Sequence, residues 1–243
     1  MLTILIKNIL LVLALLLLVP FIYTIILTLI NRNTKRMVAT RFGMNAQLWL
    51  GCIGIIIHET AHLLTALVFG HKIDGFRLIK FPNNVDTSLG YVNHSWNNSN
   101  WYQKAGNFLI GLAPTFACSI TIILLGHWLI PTVANPVTAS ILSGSPLAIE
   151  WSGLTIGKLI IFILLTANIC IGGFDLSSAD YANSKIGLAP LIIALVVLTL
   201  LISLLSDFNS VFAILERATL ILAEVLTLNC GISVLLNLVI RIV

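Results

Sequence analysis

Leu2 to Ile30 reads LTILIKNILLVLALLLLVPFIYTIILTLI, with Lys7 as its one charge. An apolar run of about 20 residues is long enough to cross the hydrocarbon core of a bilayer as a helix, the form that satisfies its own backbone polar groups. The run far exceeds the short apolar core of a secretory signal, and no small-residue cleavage site follows. It therefore reads as a retained spanning helix, with a bend at Pro20. Further apolar runs lie at about 46–69, 104–129, 154–171, 186–205 and 218–240. Composition agrees: 58% of the 243 residues are hydrophobic, 9% are charged, and mean hydropathy is +1.06. Soluble domains carry about 25% charged residues. The expected fold is an all-α polytopic membrane protein of about six transmembrane helices.

The intervals between the spans are expected to hold little regular structure, with one exception. Asn31 to Asn45 reads as a polar connector, with Arg32, Lys35, Arg36 and Arg41. Residues 131–153, rich in Pro, Ser, Thr and Ala, read as a loop. The polar interval of about 71–103 contains two extended segments, Lys72–Lys80 and Thr87–Ser95, with Pro82-Asn83-Asn84 as turn material between them. A small β-hairpin after the second span is expected there, and Trp96 and Trp101 suit the membrane interface. No separate soluble domain is evident, so 1–243 is taken as one membrane-embedded domain with a polar hairpin insert. Strict alternation of six spans puts Lys7 and Arg241 on one side and Arg41 and Arg217 on the other. The basic residues then divide almost evenly, which leaves the orientation open.

The net charge of +4 comes without a basic tract or a basic amphipathic helix, so lipid is expected as a partner and nucleic acid is not. Cys52, Cys118, Cys170 and Cys230 fall in or beside different apolar runs with no CxxC pair, and read as small membrane-core residues.

The second span contains Ile55-Ile56-Ile57-His58-Glu59-Thr60-Ala61-His62-Leu63-Leu64. Histidines four apart lie on one helical face, so both imidazoles can meet one ion. Two histidines and a carboxylate suit zinc and leave a fourth position for water. Glu59 is then placed to act as general base and acid. A charged residue at mid-membrane depth costs about 2.5–3.5 kcal/mol even on the lenient insertion scale, so three ionisable groups in five residues imply chemistry rather than accident. The third ligand is expected in Gly172-Gly173-Phe174-Asp175-Leu176-Ser177-Ser178-Ala179-Asp180-Tyr181, with Asp180 the first candidate and Asp175 the second. Either acid has a competing use as a helix cap. Asn107 and Asn168 are candidates for holding a substrate strand or stabilising an oxyanion, with interhelical hydrogen bonding as the alternative. His94 is a candidate ligand from the hairpin, while His71 and His127 read as interfacial.

These residues resemble the site-2 protease family of intramembrane zinc metallopeptidases, and more closely its short bacterial branch without a PDZ domain. The resemblance spans about 52–190. It rests on His58-Glu59-Thr60-Ala61-His62, Leu67-Val68-Phe69-Gly70, the segment around Gly90-Tyr91, Ala105-Gly106-Asn107 and Leu176-Ser177-Ser178-Ala179-Asp180. It implies one Zn2+ per chain held by His58, His62 and Asp180, with Glu59 catalytic, a membrane-protein or peptide substrate, and a bacterial cytoplasmic membrane as location. The second motif of the larger members has an Asn, two prolines and an Asp-Gly. Here Asn168 and Asp175 are kept without the prolines or the Gly, so that motif nominates Asp175 where the Leu-Ser-x-x-Asp pattern nominates Asp180. Two other functions compete: a transporter binding a divalent metal at mid-membrane, and a catalytically silent homologue that binds membrane proteins.

Overall fold

A computed structural model describes residues 2–83 and 86–242, so Asn84 of the expected turn lies outside the described residues. The first long rod comprises α1 (Leu2–Leu13), a π-helical turn (Ala14–Leu18) and α2 (Val19–Phe42). Pro20 has no N–H for the carbonyl one turn back, and the widened π turn lies just where that bond is missing. The chain continues as α3 (Met44–Val68), β1 (Lys72–Arg77), β2 (Tyr91–Ser95), α4 (Trp101–Leu129), α5 (Pro131–Ser143), α6 (Ile156–Gly173), α7 (Ser178–Leu205) and α8 (Phe208–Ile242). Among the described residues six helices are long and apolar enough to cross a membrane, with α1 and α2 forming one of them, and the protein is an all-α multi-pass membrane protein. Leu124, Leu164 and Leu198 point outward, as suits a surface solvated by hydrocarbon.

The two strands form the expected antiparallel hairpin, with Lys72 opposite Ser95, Arg77 opposite Tyr91, and an irregularity between Ile73 and Gly75. Pairing reaches further along the loop through Lys80 N–H to Leu89 O, at 2.7 Å. An ion pair between Lys80 and Asp86 and a 2.9 Å bond from Asn83 N–H to Asp86 O close its tip. The lysine and the hydroxyl and amide of Ser88 hold the Asp86 carboxyl well below its ordinary range.

Two expected loops are helical instead. The connector over 31–45 is the last part of α2, which runs to Phe42 and ends at Gly43, where φ is +85°. Asn31 and Thr34 on it are buried, while Arg32, Asn33, Arg36, Thr40 and Arg41 are exposed. Thr34 accepts from Asn237 of α8 at 2.9 Å, and Arg32 and Lys35 reach the chain beyond α6. Within 131–153, Pro131 opens α5 at a position where its missing N–H costs nothing, and left-handed Gly144 ends it. His127 of α4 holds it through Asn135 and Thr138. The break expected over 172–185 is only residues 174–177. Asp207 caps α8 ten residues before its expected start, and bonds from Ser210 and Asn209 lower the pKa of its carboxyl.

The direction of the helices differs from a simple alternation. Tyr102 of α4 bonds to Val68 O, and His62 of α3 meets Ile110, so α3 and α4 are antiparallel. Gly126 of α4 lies against Phe162 and Cys118 against Gly173, so α6 is antiparallel to α4. Gly111 abuts Asp180 and Ser184, while Gly187 abuts Phe108 and Lys104, so α7 is antiparallel to α4 as well. Helices α6 and α7 therefore follow one another in the same direction along α4, as a single rod interrupted at 174–177. The chain does not reverse there. Consequently Arg241 comes beside Arg41, which donates to the carbonyls of Ile240 and Arg241, and Asn8 meets Ser203 near the α7–α8 turn. The division that placed Arg41 and Arg241 on opposite sides is thereby corrected.

Candidate metal centre

The interruption between α6 and α7 faces the middle of α3. A crossing without side chains makes this possible: a Cβ on Gly54 would come within 2.7 Å of Gly173 N and Ile169 O, and one on Gly51 within 2.9 Å of Gly172 Cα. The end of α6 thus lies directly against the turn of α3 that carries His58. On the other flank, a Cβ on Gly111 would come within 2.7 Å of Asp180 O, so its absence brings the first turn of α7 onto α4.

Each histidine is oriented by a backbone carbonyl that helix geometry leaves free. His58 Nδ1 donates to Gly173 O at 2.9 Å; Gly173 is the last residue of α6, and a terminal carbonyl has no intrahelical partner. His62 Nδ1 donates to Ile110 O at 2.8 Å. The N–H that would otherwise occupy Ile110 O is that of residue 114, four further on, and residue 114 is proline. Pro114 thus frees the acceptor that fixes His62. Since a carbonyl only accepts, both Nδ1 atoms carry hydrogen, and in the neutral rings both Nε2 atoms present lone pairs.

Those lone pairs converge. His58 Nε2 and His62 Nε2 are 3.0 Å apart, and the Asp180 carboxylate lies 3.3 Å from His62 Nε2 and 3.9 Å from His58 Nε2. Among the described residues this is the one group of three or more His, Cys, Asp or Glu whose ligand atoms all lie within 4.8 Å of one another. His58 and His62 are buried, at 7% and 5% exposure. Three electron-rich atoms facing each other away from water repel unless a proton or a metal cation lies between them. Two neutral imidazoles and a carboxylate are the donor set that suits zinc, at metal–ligand distances of about 2.0–2.2 Å. The residues present therefore fit the ion that the sequence implies.

Asp180 serves two ends at once. Its Oδ2 accepts from Ser177 N–H at 2.9 Å and from Ser177 Oγ at 2.6 Å, and its own N–H donates to Ser177 Oγ at 3.1 Å, a complete capping box. The cap holds the carboxylate while Oδ1 faces His62. Cap and candidate ligand are the same residue. Asp175 lies elsewhere, paired with Lys35 Nζ at 3.3 Å and Arg32 Nε at 3.5 Å. Glu59 is covered by the hairpin: a Cβ on Gly90 would come within 2.7 Å of Glu59 Cγ and 3.0 Å of its Oε1. The extended segment before β2 thus runs directly over this carboxyl.

The two asparagines differ. Asn168 Oδ1 accepts from Ile53 N–H at 2.9 Å and its Nδ2 donates to Trp49 O at 3.3 Å, so it bridges one turn of α3 and ties α6 to it. Asn107 is fully buried; its Nδ2 makes long bonds of 3.5 and 3.4 Å to Gln103 O and Lys104 O, while Oδ1 has no partner among the described residues. His94 is not brought into the group of three. It meets His71 instead, with the Nδ1 atoms 3.0 Å apart, and His71 Nε2 donates to Gln103 O at 2.9 Å. Burial, and then the neighbouring His71, push the pKa of His94 down to about 4. Gln103 completes this junction, donating from Nε2 to Gly70 O and accepting from Asn97 N–H, both at 2.7 Å. The sequence reading missed the parts played by Pro114, Lys35 and Arg32. For Pro114 a signal existed, since a proline inside a helix always frees the carbonyl four residues before it.

Comparison of the chain with protein-family models, with curated proteins and with solved structures finds no match.

Proposed function

We propose that the protein is a zinc-dependent endopeptidase of the site-2 protease type, cleaving peptide bonds in or near transmembrane segments of membrane-protein substrates in a bacterial cytoplasmic membrane. One observation carries the reading: two Nε2 lone pairs, fixed in place by carbonyls, and the Asp180 carboxylate converge beside Glu59 within a membrane helix. His58, His62 and Asp180 would hold the ion, which when bound polarises a carbonyl oxygen and makes water a stronger acid. Glu59 takes the proton from the attacking water and returns it to the departing amide nitrogen. The Gly90 segment above Glu59 offers extended backbone to a substrate strand, which selects unwound over helical peptide. Asn107 Oδ1, buried without a partner among the described residues, is the candidate acceptor for that strand once the site opens.

A second reading has one observation in its favour. Interrupted helices with an ion-binding group at the break occur in transporters, and α6 and α7 are such a pair. Glu59→Gln separates the two. A peptidase variant of this kind keeps its zinc and loses hydrolysis of a reconstituted transmembrane peptide by about 10²–10⁴-fold. A transporter keeps its flux of divalent ion. Zinc-loaded protein that moves zinc across vesicles and is unaffected by Glu59→Gln would sink the peptidase reading.

A further inference from the structure

We infer that Lys35 and Asp175, with Arg32, form a buried ionic latch between α2 and the α6–α7 interruption, and that this latch sets the position of Asp180. Residues 174–177 have no helix or strand ladder to hold them. Instead three residues one turn apart on α2 grip two consecutive residues of the interruption. Thr28 Oγ1 accepts from Leu176 N–H at 3.2 Å, Arg32 donates to Leu176 O at 2.8 Å, and Lys35 Nζ donates to Asp175 Oδ2 at 3.3 Å. Arg32 Nε adds an ion pair with Asp175 Oδ1 at 3.5 Å. Phe174 and Leu176 are buried on either side of the acid.

The Lys35–Asp175 pair is largely shielded from solvent, whereas the Arg32 side chain is 45% exposed. The Lys35 and Asp175 side chains are 15% and 16% exposed, where removing one partner strands the other in a poorly solvated place. The Asp175 carboxylate is engaged by two cations, which gives this acid a role other than direct contact with the histidines. Five residues on, Asp180 depends on the same short segment for its approach to His62. The far end of α2 is itself anchored on α8 through Thr34 and Arg41. Lys35, Arg32 and Asp175 are therefore positioning residues, acting on Asp180 through the backbone between them.

The consequence for metal binding rests on the proposed function; the latch does not, and is tested in chelator-treated full-length protein in detergent. Hydrogen exchange is followed at 174–181 in wild type, Lys35→Met, Asp175→Asn, Lys35→Arg, and the exchanged pair Lys35→Asp with Asp175→Lys. Lys35→Met and Asp175→Asn are each expected to speed exchange at 174–181 about tenfold while Tyr91–Ser95 stays unchanged, with Lys35→Arg near wild type and the exchanged pair recovering most of the loss. Unchanged exchange at 174–181 in Lys35→Met, or acceleration that the exchanged pair does not reverse, overturns the latch. Zinc release to a chelator from the same proteins supplies the second readout. Release about tenfold faster in the two single variants, with recovery in the exchanged pair, ties the latch to the site. Equal release rates overturn that tie. A folded wild type that takes up no zinc overturns the functional reading, and the exchange result still decides the latch.

Discussion

The molecule holds two histidine pairs whose facing nitrogens are equally close, 3.0 Å in each, and whose chemistry is opposite. In the pair of His58 and His62, both far nitrogens donate to carbonyls, so with both rings neutral the near nitrogens are both acceptors and cannot bond to each other. In the pair of His71 and His94, only His71 donates its far hydrogen to a carbonyl. His71 Nδ1 is therefore an acceptor and His94 Nδ1 supplies the hydrogen between them. One extra carbonyl, together with a carboxylate 3.3 Å from His62 Nε2, distinguishes the proposed cation site from a pair that shares a proton. The difference is written in the partners of the outer nitrogens, not in the distance between the inner ones.

The largest effect expected from breaking this contrast is at the acid. Asp180→Ala removes the proposed third ligand and, together with it, the capping box of α7. Zinc retention is expected to be lost altogether, as measured by metal analysis after desalting. Asp175→Asn keeps one zinc at saturating zinc and only hastens its loss. Next is Pro114→Ala, which restores an N–H to the α4 ladder and draws Ile110 O back from His62. Loss of such an orienting contact typically costs 10–100-fold in metal affinity, about 1.4–2.8 kcal/mol, and competition titration against a chelator would measure it. An affinity equal to wild type would show that the proline does not govern the His62 tautomer.

Gly90→Ala is expected to push the hairpin off Glu59 and lower peptide hydrolysis several-fold with zinc content unchanged, as steady-state kinetics would record. A drop in zinc content would mean the hairpin supports the ligands instead.

The smallest effect concerns the second pair. The pKa of His94 is about 4 in the folded protein against an ordinary 6.5, so the folded state binds fewer protons across that window. Docking of the hairpin is then fully stable above about pH 6.5 and weakens as pH falls towards 4. The groups that act on His94 are His71, His62, Asp180 and Asp74. Hydrogen exchange at Tyr91–Ser95, corrected for its intrinsic pH dependence, should show this trend in wild type and a flat profile in His94→Gln.

Much of the fold was legible because hydropathy and local spacing encode it. The spans follow from apolar length, the hairpin from its two extended segments, and the convergence of His58 and His62 from a four-residue step on one helix. Direction and tertiary pairing are not encoded this way. Arg32, Lys35 and Arg41 read as a solvated connector because a charged helix that lies against another segment has the same local composition as a polar loop. Residues 174–177 read as an ordinary loop because hydropathy does not say whether the chain reverses at a polar break. The choice between Asp175 and Asp180 stayed open because a capping acid and a ligand acid are the same residue type. What separates them is the position of Arg32 and Lys35, which lie about 140 residues away in sequence.

The most direct test of the central claim is zinc content after saturation and desalting, for detergent-purified wild type, His58→Ala and His94→Ala. The expected result is about one zinc per chain in wild type and in His94→Ala, and none in His58→Ala. Zinc absent from folded wild type, or retained in His58→Ala and lost in His94→Ala, would contradict it.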